Sequence, residues 1–149
     1  MDLFVESAPA RASLSSISGQ VISFPEGLIG CENWCRFMVE ADVSDDAVLL
    51  LRCLDQPGIQ LWVTDPFEIL SDYEISIGDD EARRIGLEDL SDAVVLCILT
   101  VRPPPIGVTA NLVGPLVINV RKRLGLQLIL ADSSYSVRHP VHPLAARVR

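Results

Sequence analysis

Residues 108–130 read V-T-A-N-L-V-G-P-L-V-I-N-V-R-K-R-L-G-L-Q-L-I-L, and this stretch, Val108 to Leu130, decides the fold class. It reads as two β-strands joined by a basic turn. Leu116 to Val120 is rich in Val and Ile, and Leu124 to Leu130 alternates apolar residues with Gly125 and Gln127. Arg121, Lys122 and Arg123 form a charged tip between them that faces water. Pro115 has no N–H to donate to a ladder, so Gly114-Pro115 marks the beginning of the first strand. Asn111 and Asn119 flank the segment, where their amides can bond nearby backbone. A hairpin cannot bury its apolar face alone, so the rest of the chain must supply the opposite wall.

Working outward, short apolar runs recur between turn signals. Val21 to Phe24 is a strand stopped by Pro25-Glu26-Gly27. Cys35 to Val39 places Phe37 and Val39 on one face and Arg36 and Met38 on the other. After the acidic turn Asp42 to Asp46, Val48 to Leu54 is near-continuously apolar apart from Arg52 and reads as a central strand. Ile59 to Thr64 follows the turn Gln56-Pro57-Gly58, and Tyr73, Ile75 and Ile77 alternate with Glu74, Ser76 and Gly78. One helix is predicted over residues 79–86. Asp79 is its cap, Asp80 and Glu81 suit its positive end, and Arg83 and Arg84 suit its negative end before Gly86. Ala93 to Val101 is a buried strand ended by Pro103-Pro104-Pro105, and Tyr135 to Arg138 is a candidate edge strand. Some eight to ten short strands and one short helix predict an all-β, mostly antiparallel fold, a small barrel or closed sheet. Residues 1–17, rich in Ala and Ser, read as a flexible tail, 18–138 as the barrel domain, and 139–149 as a basic tail with Pro140 and Pro143.

With 49% hydrophobic but only 5% aromatic residues, the core must be aliphatic. The net charge is −8 and polarised: residues 1–100 carry 19 acids against 5 bases, whereas 101–149 carry 7 bases against 1 acid. An acidic face attracts a basic partner and disfavours nucleic acid. No basic n-region with an apolar stretch opens the chain, and no apolar run reaches the roughly 18 residues of a membrane span. A cytoplasmic protein is expected, with no membrane partner.

Catalytic and metal chemistry find little support. Cys31 and Cys35 are four apart and His139 and His142 three apart, but the pairs lie too far apart in sequence to signal a zinc site. Cys53 and Cys97 sit in apolar runs as small hydrophobes. No nucleophile elbow or Gly-rich phosphate loop occurs, so no enzyme, no metal and no cofactor is expected. What remains is surface. Asp65, Phe67, Glu68, Asp72, Tyr73 and Glu74 mix acids with two of the few aromatics, the composition of a protein-binding patch. The competing reading packs Phe67 and Tyr73 into the core beneath an acidic loop.

Three blocks in consistent order resemble the flagellar assembly factor FliW family. Ile22-Ser-Phe24-Pro-Glu-Gly27-Leu-Ile-Gly30-Cys-Glu32 resembles its opening I-x-F-P-x-G-L-x-G-F-E, with Ile29 in place of Pro and Cys31 in place of the aromatic. Asp65-Pro66 followed by Asp72-Tyr73 resembles its middle pattern. Thr109 to Asn119, through Gln127 to Leu130, is similar to its signature T-x-N-L-x-A-P-[IL]-V-I-N … Q-V-I-L, with Gly114 for Ala. The resemblance implies a barrel-like fold and a non-enzymatic role as a chaperone-like partner of flagellin. It also implies binding to the translational repressor CsrA, whose repression of flagellin synthesis is relieved as flagellin is exported. The repressor-binding face is expected at Asp65, Glu68, Asp72, Glu74, Asp79 and Asp80, with Phe67 or Tyr73 as anchor. The flagellin site is expected at Asn111, Leu112, Pro115 and Asn119. A monomer is expected when free of partners. The alternative is a nucleic-acid-binding barrel using Arg121, Lys122 and Arg123.

Overall fold

The computed structural model describes residues 3–5, 12–42, 45–131 and 133–141. Among these the strands are β1 (Leu3–Val5), β2 (Val21–Ser23), β3 (Arg36–Asp42), β4 (Asp45–Cys53), β5 (Gln60–Thr64), β6 (Ile75–Ile77), β7 (Ala93–Val101), β8 (Val108–Ala110), β9 (Leu116–Asn119), β10 (Leu124–Gln127) and β11 (His139–Pro140). The helix α1 spans Asp79–Arg84. Neighbours β7, β5, β4, β3, β2, β10 and β9 hydrogen-bond in that order, and β9 returns to β7, closing a seven-stranded barrel. Every contact around the ring is antiparallel except β10 with β2, which is parallel and matches Leu124 to Ser23.

The pairing of β7 explains why its sequence is apolar from Ala93 through Leu99. Its first half, Ala93 to Leu96, pairs with β9 along one edge, while Cys97 to Leu99 pair with β5 along the other. Val94 and Leu96 point into the barrel with Phe24, Phe37, Val39, Leu51, Leu116 and Ile118. Ala93, Val95, Cys97 and Leu99 point outward into a second core with Tyr73, Ile75, Ile77, Ile85 and Leu112. Through Leu99 the strand is covered on both faces and has no solvated position to alternate, whereas Thr100 and Val101 are exposed. The second core is roofed by α1 and by the two-stranded antiparallel sheet β1–β6, where Leu3 pairs with Ile77 and Val5 with Ile75.

Aliphatic burial holds this together. A fully buried Leu, Ile or Val contributes about 1.5–3 kcal/mol. The ion pairs, such as Arg52 with Glu40 at 2.6 Å and Arg84 with Asp80 at 2.6 Å, are largely exposed, and such pairs contribute about 0–1 kcal/mol each. Inside the barrel Phe24 and Phe37 meet edge to face at 5.6 Å. Gly125 leaves room for the Phe24 ring: a Cβ there would lie 2.7 Å from Cε2.

Several expectations need correction. Parts of the stretch read as an N-terminal tail are docked: Leu3–Val5 forms β1, and Ile17 in the turn of 3-10 helix Leu14–Ile17 is buried in the barrel core. Similarly, His139–Pro140 pairs with β8 and Val141 is buried, so the segment read as a C-terminal tail starts as structure; residues 142–149 lie outside the described residues. Tyr135 to Arg138 is not a strand; the edge strand is β11, one step later. The cap of α1 is Gly78 rather than Asp79, because the Glu81 carboxylate reaches back and accepts the Gly78 N–H at 2.9 Å.

One carboxylate serves the backbone. Asp55 Oδ2 accepts the Cys35 N–H at 2.8 Å and the Arg36 N–H at 2.7 Å, and these bonds hold its pKa below the usual carboxylate range. A depressed folded pKa stabilises above the unfolded value near about 3.9 and stops doing so as pH falls through the folded one. Asp55→Ala should therefore melt at a lower temperature than the parent at neutral pH, with the gap closing in that acid window. A gap that does not change with pH would refute the assignment.

Candidate functional site

The acidic tract divides into a buried part and a wet part. Asp65 caps the turn of 3-10 helix Pro66–Glu68, its Oδ1 accepting the Phe67 N–H at 2.8 Å. Phe67 and Tyr73 are in the second core, Tyr73 without any exposure. Their rings meet at 5.4 Å, and Tyr73 meets Tyr135 at 4.6 Å. The Tyr73 hydroxyl donates to the Leu112 carbonyl at 2.7 Å, and burial pushes its pKa well above the ordinary phenol range. Neither aromatic is available as a surface anchor, which corrects that expectation. The signal was in the alternation itself: Tyr73 shares its face with Ile75 and Ile77.

The acids fare differently. Glu68, Asp72, Glu74, Asp79 and Asp80 are exposed. Strand β6 lies between Glu74 and Asp79, so at about 3.3 Å per residue they are up to roughly 16 Å apart. Asp80 is also engaged by Arg84 at 2.6 Å and by Arg83 at 3.7 Å. One acidic group precedes β6 and the other opens α1.

Asn111, Leu112, Pro115 and Asn119 are building elements rather than a free surface. Asn111 Oδ1 accepts the N–H groups of Val113 at 3.1 Å and Gly114 at 3.0 Å, forming the turn ahead of β9. Leu112 and Pro115 are buried, and the Pro115 carbonyl accepts the Leu128 N–H at 2.9 Å. Asn119, 2% exposed, donates from Nδ2 to the Ile85 carbonyl at 2.9 Å and accepts from the Arg121 N–H at 3.1 Å. It ties the hairpin turn to the end of α1. Gln127, unassigned by the sequence reading, donates to the Gly114 carbonyl and accepts the Ile29 N–H, both at 2.9 Å. This dense motif therefore joins three loops around the barrel closure, with Leu112, Pro115 and Asn119 buried and Asn111 half-buried.

The basic tip Arg121, Lys122, Arg123 is exposed as expected, with Arg121 3.8 Å from Asp92. Cys31 and Cys35 are half-buried, Cys53 and Cys97 buried. Among the described residues no group of three or more His, Cys, Asp or Glu is placed to hold a metal, and no helix is long and apolar enough to cross a membrane. Sequence reading missed a cleft between the 26–32 loop and α1. Glu26, Glu32 and Glu81 line it together with Arg84, and Ile29 stands 54% exposed at its side.

Fold and surface together define a small all-β protein: a closed seven-stranded barrel whose charge is polarised along the chain. The family profile described as FliW protein matches residues 10–141. The flagellar assembly factor FliW of Nitratidesulfovibrio vulgaris strain DP4 is 36% identical over 124 residues, covering 83% of this chain and 72% of the relative. That of Clostridium botulinum strain Langeland is 31% identical over 121 residues, covering 81% and 85%. A crystal structure of the flagellar assembly factor FliW superposes with a TM-score of 0.75 at 30% identity, covering 81% of this chain and 84% of the other. The chain belongs to the FliW family.

Proposed function

We propose that this chain is a non-catalytic protein-binding factor of flagellar assembly that holds newly made flagellin and, when free of it, binds and antagonises the repressor CsrA. Membership of the FliW family carries the reading. The two partners compete for one protein, so the flagellin level sets the fraction left to take up the repressor. An RNA-binding repressor is basic, and the exposed acids Glu68, Asp72, Glu74, Asp79 and Asp80 complement it electrostatically. Glu26, Glu32 and Glu81 extend that acidic surface beyond the tract singled out in the sequence. Work in the cytoplasm, as a monomer between partners, belongs to the same reading.

Co-purification from flagellated cells is the direct test, with flagellin and CsrA expected in separate complexes. Recovery of both in one ternary assembly, or of neither, overturns the proposal, as does tight RNA binding without CsrA. Asp72 and Glu74 are exposed, so reversing both to Lys should leave the melting temperature close to that of the parent. The double variant should bind CsrA roughly tenfold more weakly at low salt and show a flatter salt dependence. Titration calorimetry at two ionic strengths measures both. Unchanged affinity at low salt removes these two residues from the repressor face.

A further inference from the structure

The inward face of β7 outruns the barrel. Val94 and Leu96 lie in the barrel core and Ile98 packs against it, but the next two residues on that face, Thr100 and Arg102, are exposed. Beyond Ile98 the strand leaves the closed ring and pairs instead with β8, Thr100 opposite Thr109, and β8 pairs in turn with β11. Ring closure needs neither β8 nor β11, since β9 already returns to β7. The arm carries a cleft lined by Thr100, Arg102, Ile106, Thr109, Val137 and Arg138. Ile106 is 61% and Val137 56% exposed, among the most exposed large apolar side chains described.

The charge here is opposite to that of most of the chain. Among the described residues no carboxylate lines the cleft, and neither Arg102 nor Arg138 has an ion-pair partner. Nineteen of the 20 acids fall in residues 1–100, so this is a positive, apolar island on an acidic protein. Exposed apolar side chains flanked by free arginines are the composition of a binding centre, where Arg supplies directed hydrogen bonds to carboxylates. The turn 102–107 contains three prolines in a row and is closed by the Arg102 N–H donating to the Gly107 carbonyl at 2.9 Å, so docking orders little further backbone.

We infer that this arm is a docking surface for a short acidic, amphipathic segment of a partner protein. Apolar side chains of that segment seat on Ile106 and Val137, and its carboxylates meet Arg102 and Arg138. The inference rests on the reading that the chain works by holding protein segments. Acidic segments are repelled by most of the molecule and steered to this end, which separates the site from any surface serving a basic partner. Two arginines on a chain of net charge −8 suit a few carboxylates better than a phosphate backbone.

The test uses the full chain and two labelled helical peptides with identical leucine spacing, one with glutamate and one with lysine on the polar face, read by fluorescence anisotropy. The glutamate peptide should bind at least about tenfold more tightly than the lysine peptide. Arg102→Glu with Arg138→Glu should reverse that order, and Ile106→Ser with Val137→Ser should weaken the glutamate peptide by a similar factor. All four residues are exposed, and unchanged melting curves confirm that each variant folds. Failure of the glutamate peptide to bind, equal binding of both peptides, or indifference to the arginine reversal overturns the inference. So does an oligoribonucleotide that binds more tightly than the glutamate peptide. Flagellin capture by the parent protein is measured alongside: its failure would sink the assembly-factor reading, while the peptide results alone decide this one.

Discussion

Tyr73→Ala should lower the unfolding free energy by about 3–5 kcal/mol, the cost of emptying a large aromatic site in a packed core. Typical domains have about 5–15 kcal/mol in total, so this one substitution removes a large share. Tyr73 has no exposure, and its ring joins Phe67 on one side to Tyr135 on the other. Its hydroxyl also satisfies the Leu112 carbonyl, which otherwise has no water to turn to. Tyr73→Phe isolates that bond and should cost about 1–3 kcal/mol, because a buried acceptor is left unpaired. Urea denaturation of the three proteins gives both values. A phenylalanine variant within about 0.5 kcal/mol of the parent would mean that the Leu112 carbonyl finds another donor. The result also bears on function: any loss of partner binding in Tyr73→Ala that Tyr73→Phe does not share reflects the core, not a contact.

Gly27→Ala should cost roughly 3 kcal/mol, from two additive sources. Gly27 has φ +70°, and a left-handed conformation costs a residue with a Cβ about 1–2 kcal/mol. In addition, its new methyl group would run into the backbone carbonyl of Glu32, which cannot swing aside as a side chain does, and overpacking costs about 1–3 kcal/mol. Gly30, three residues on, is the control. It has φ +81° but nothing within 4 Å of a built Cβ, so Gly30→Ala should show the conformational cost alone. Equal destabilisation of the two variants would show that the 27–32 loop relaxes around the clash. Because this loop carries Ile29 and one wall of the acidic cleft, Gly27→Ala should also alter that cleft without touching its charges.

The barrel was legible wherever burial pattern and turn chemistry agreed. Ala93–Val101 appeared at its true limits because Asp92 precedes a run that is apolar but for Thr100, and Arg102-Pro103 ends it. The hairpin β9–β10 followed from Val-Ile richness on either side of three basic residues, although its strands stop at Asn119 and Gln127. Among the shortest elements, β2 and β6 were legible from flanking turn chemistry and alternation, but β1, β8 and β11 escaped, because their place is set by partners distant in sequence. The candidate site was less legible for a different reason. Asn, Pro and Leu in a tight pattern serve equally to bind a partner or to build a turn, and only burial separates the two. Asn119 at 2% exposure resolves that ambiguity towards construction, as Tyr73 does for the aromatic pair. The arm bearing Ile106 and Val137 was invisible because its residues converge from two segments some thirty positions apart.

The lone parallel contact of the ring, Ser23 beside Leu124, has a bearing on biosynthesis. A ribosome makes β2 early and β10 late, so the nascent sheet of β2 to β5 waits with β2 as an unmated edge until Leu124 has emerged. Such an edge is a template for pairing with other chains. A transcript cut short ahead of Leu124 would therefore yield not a smaller barrel but an open, self-adhering sheet.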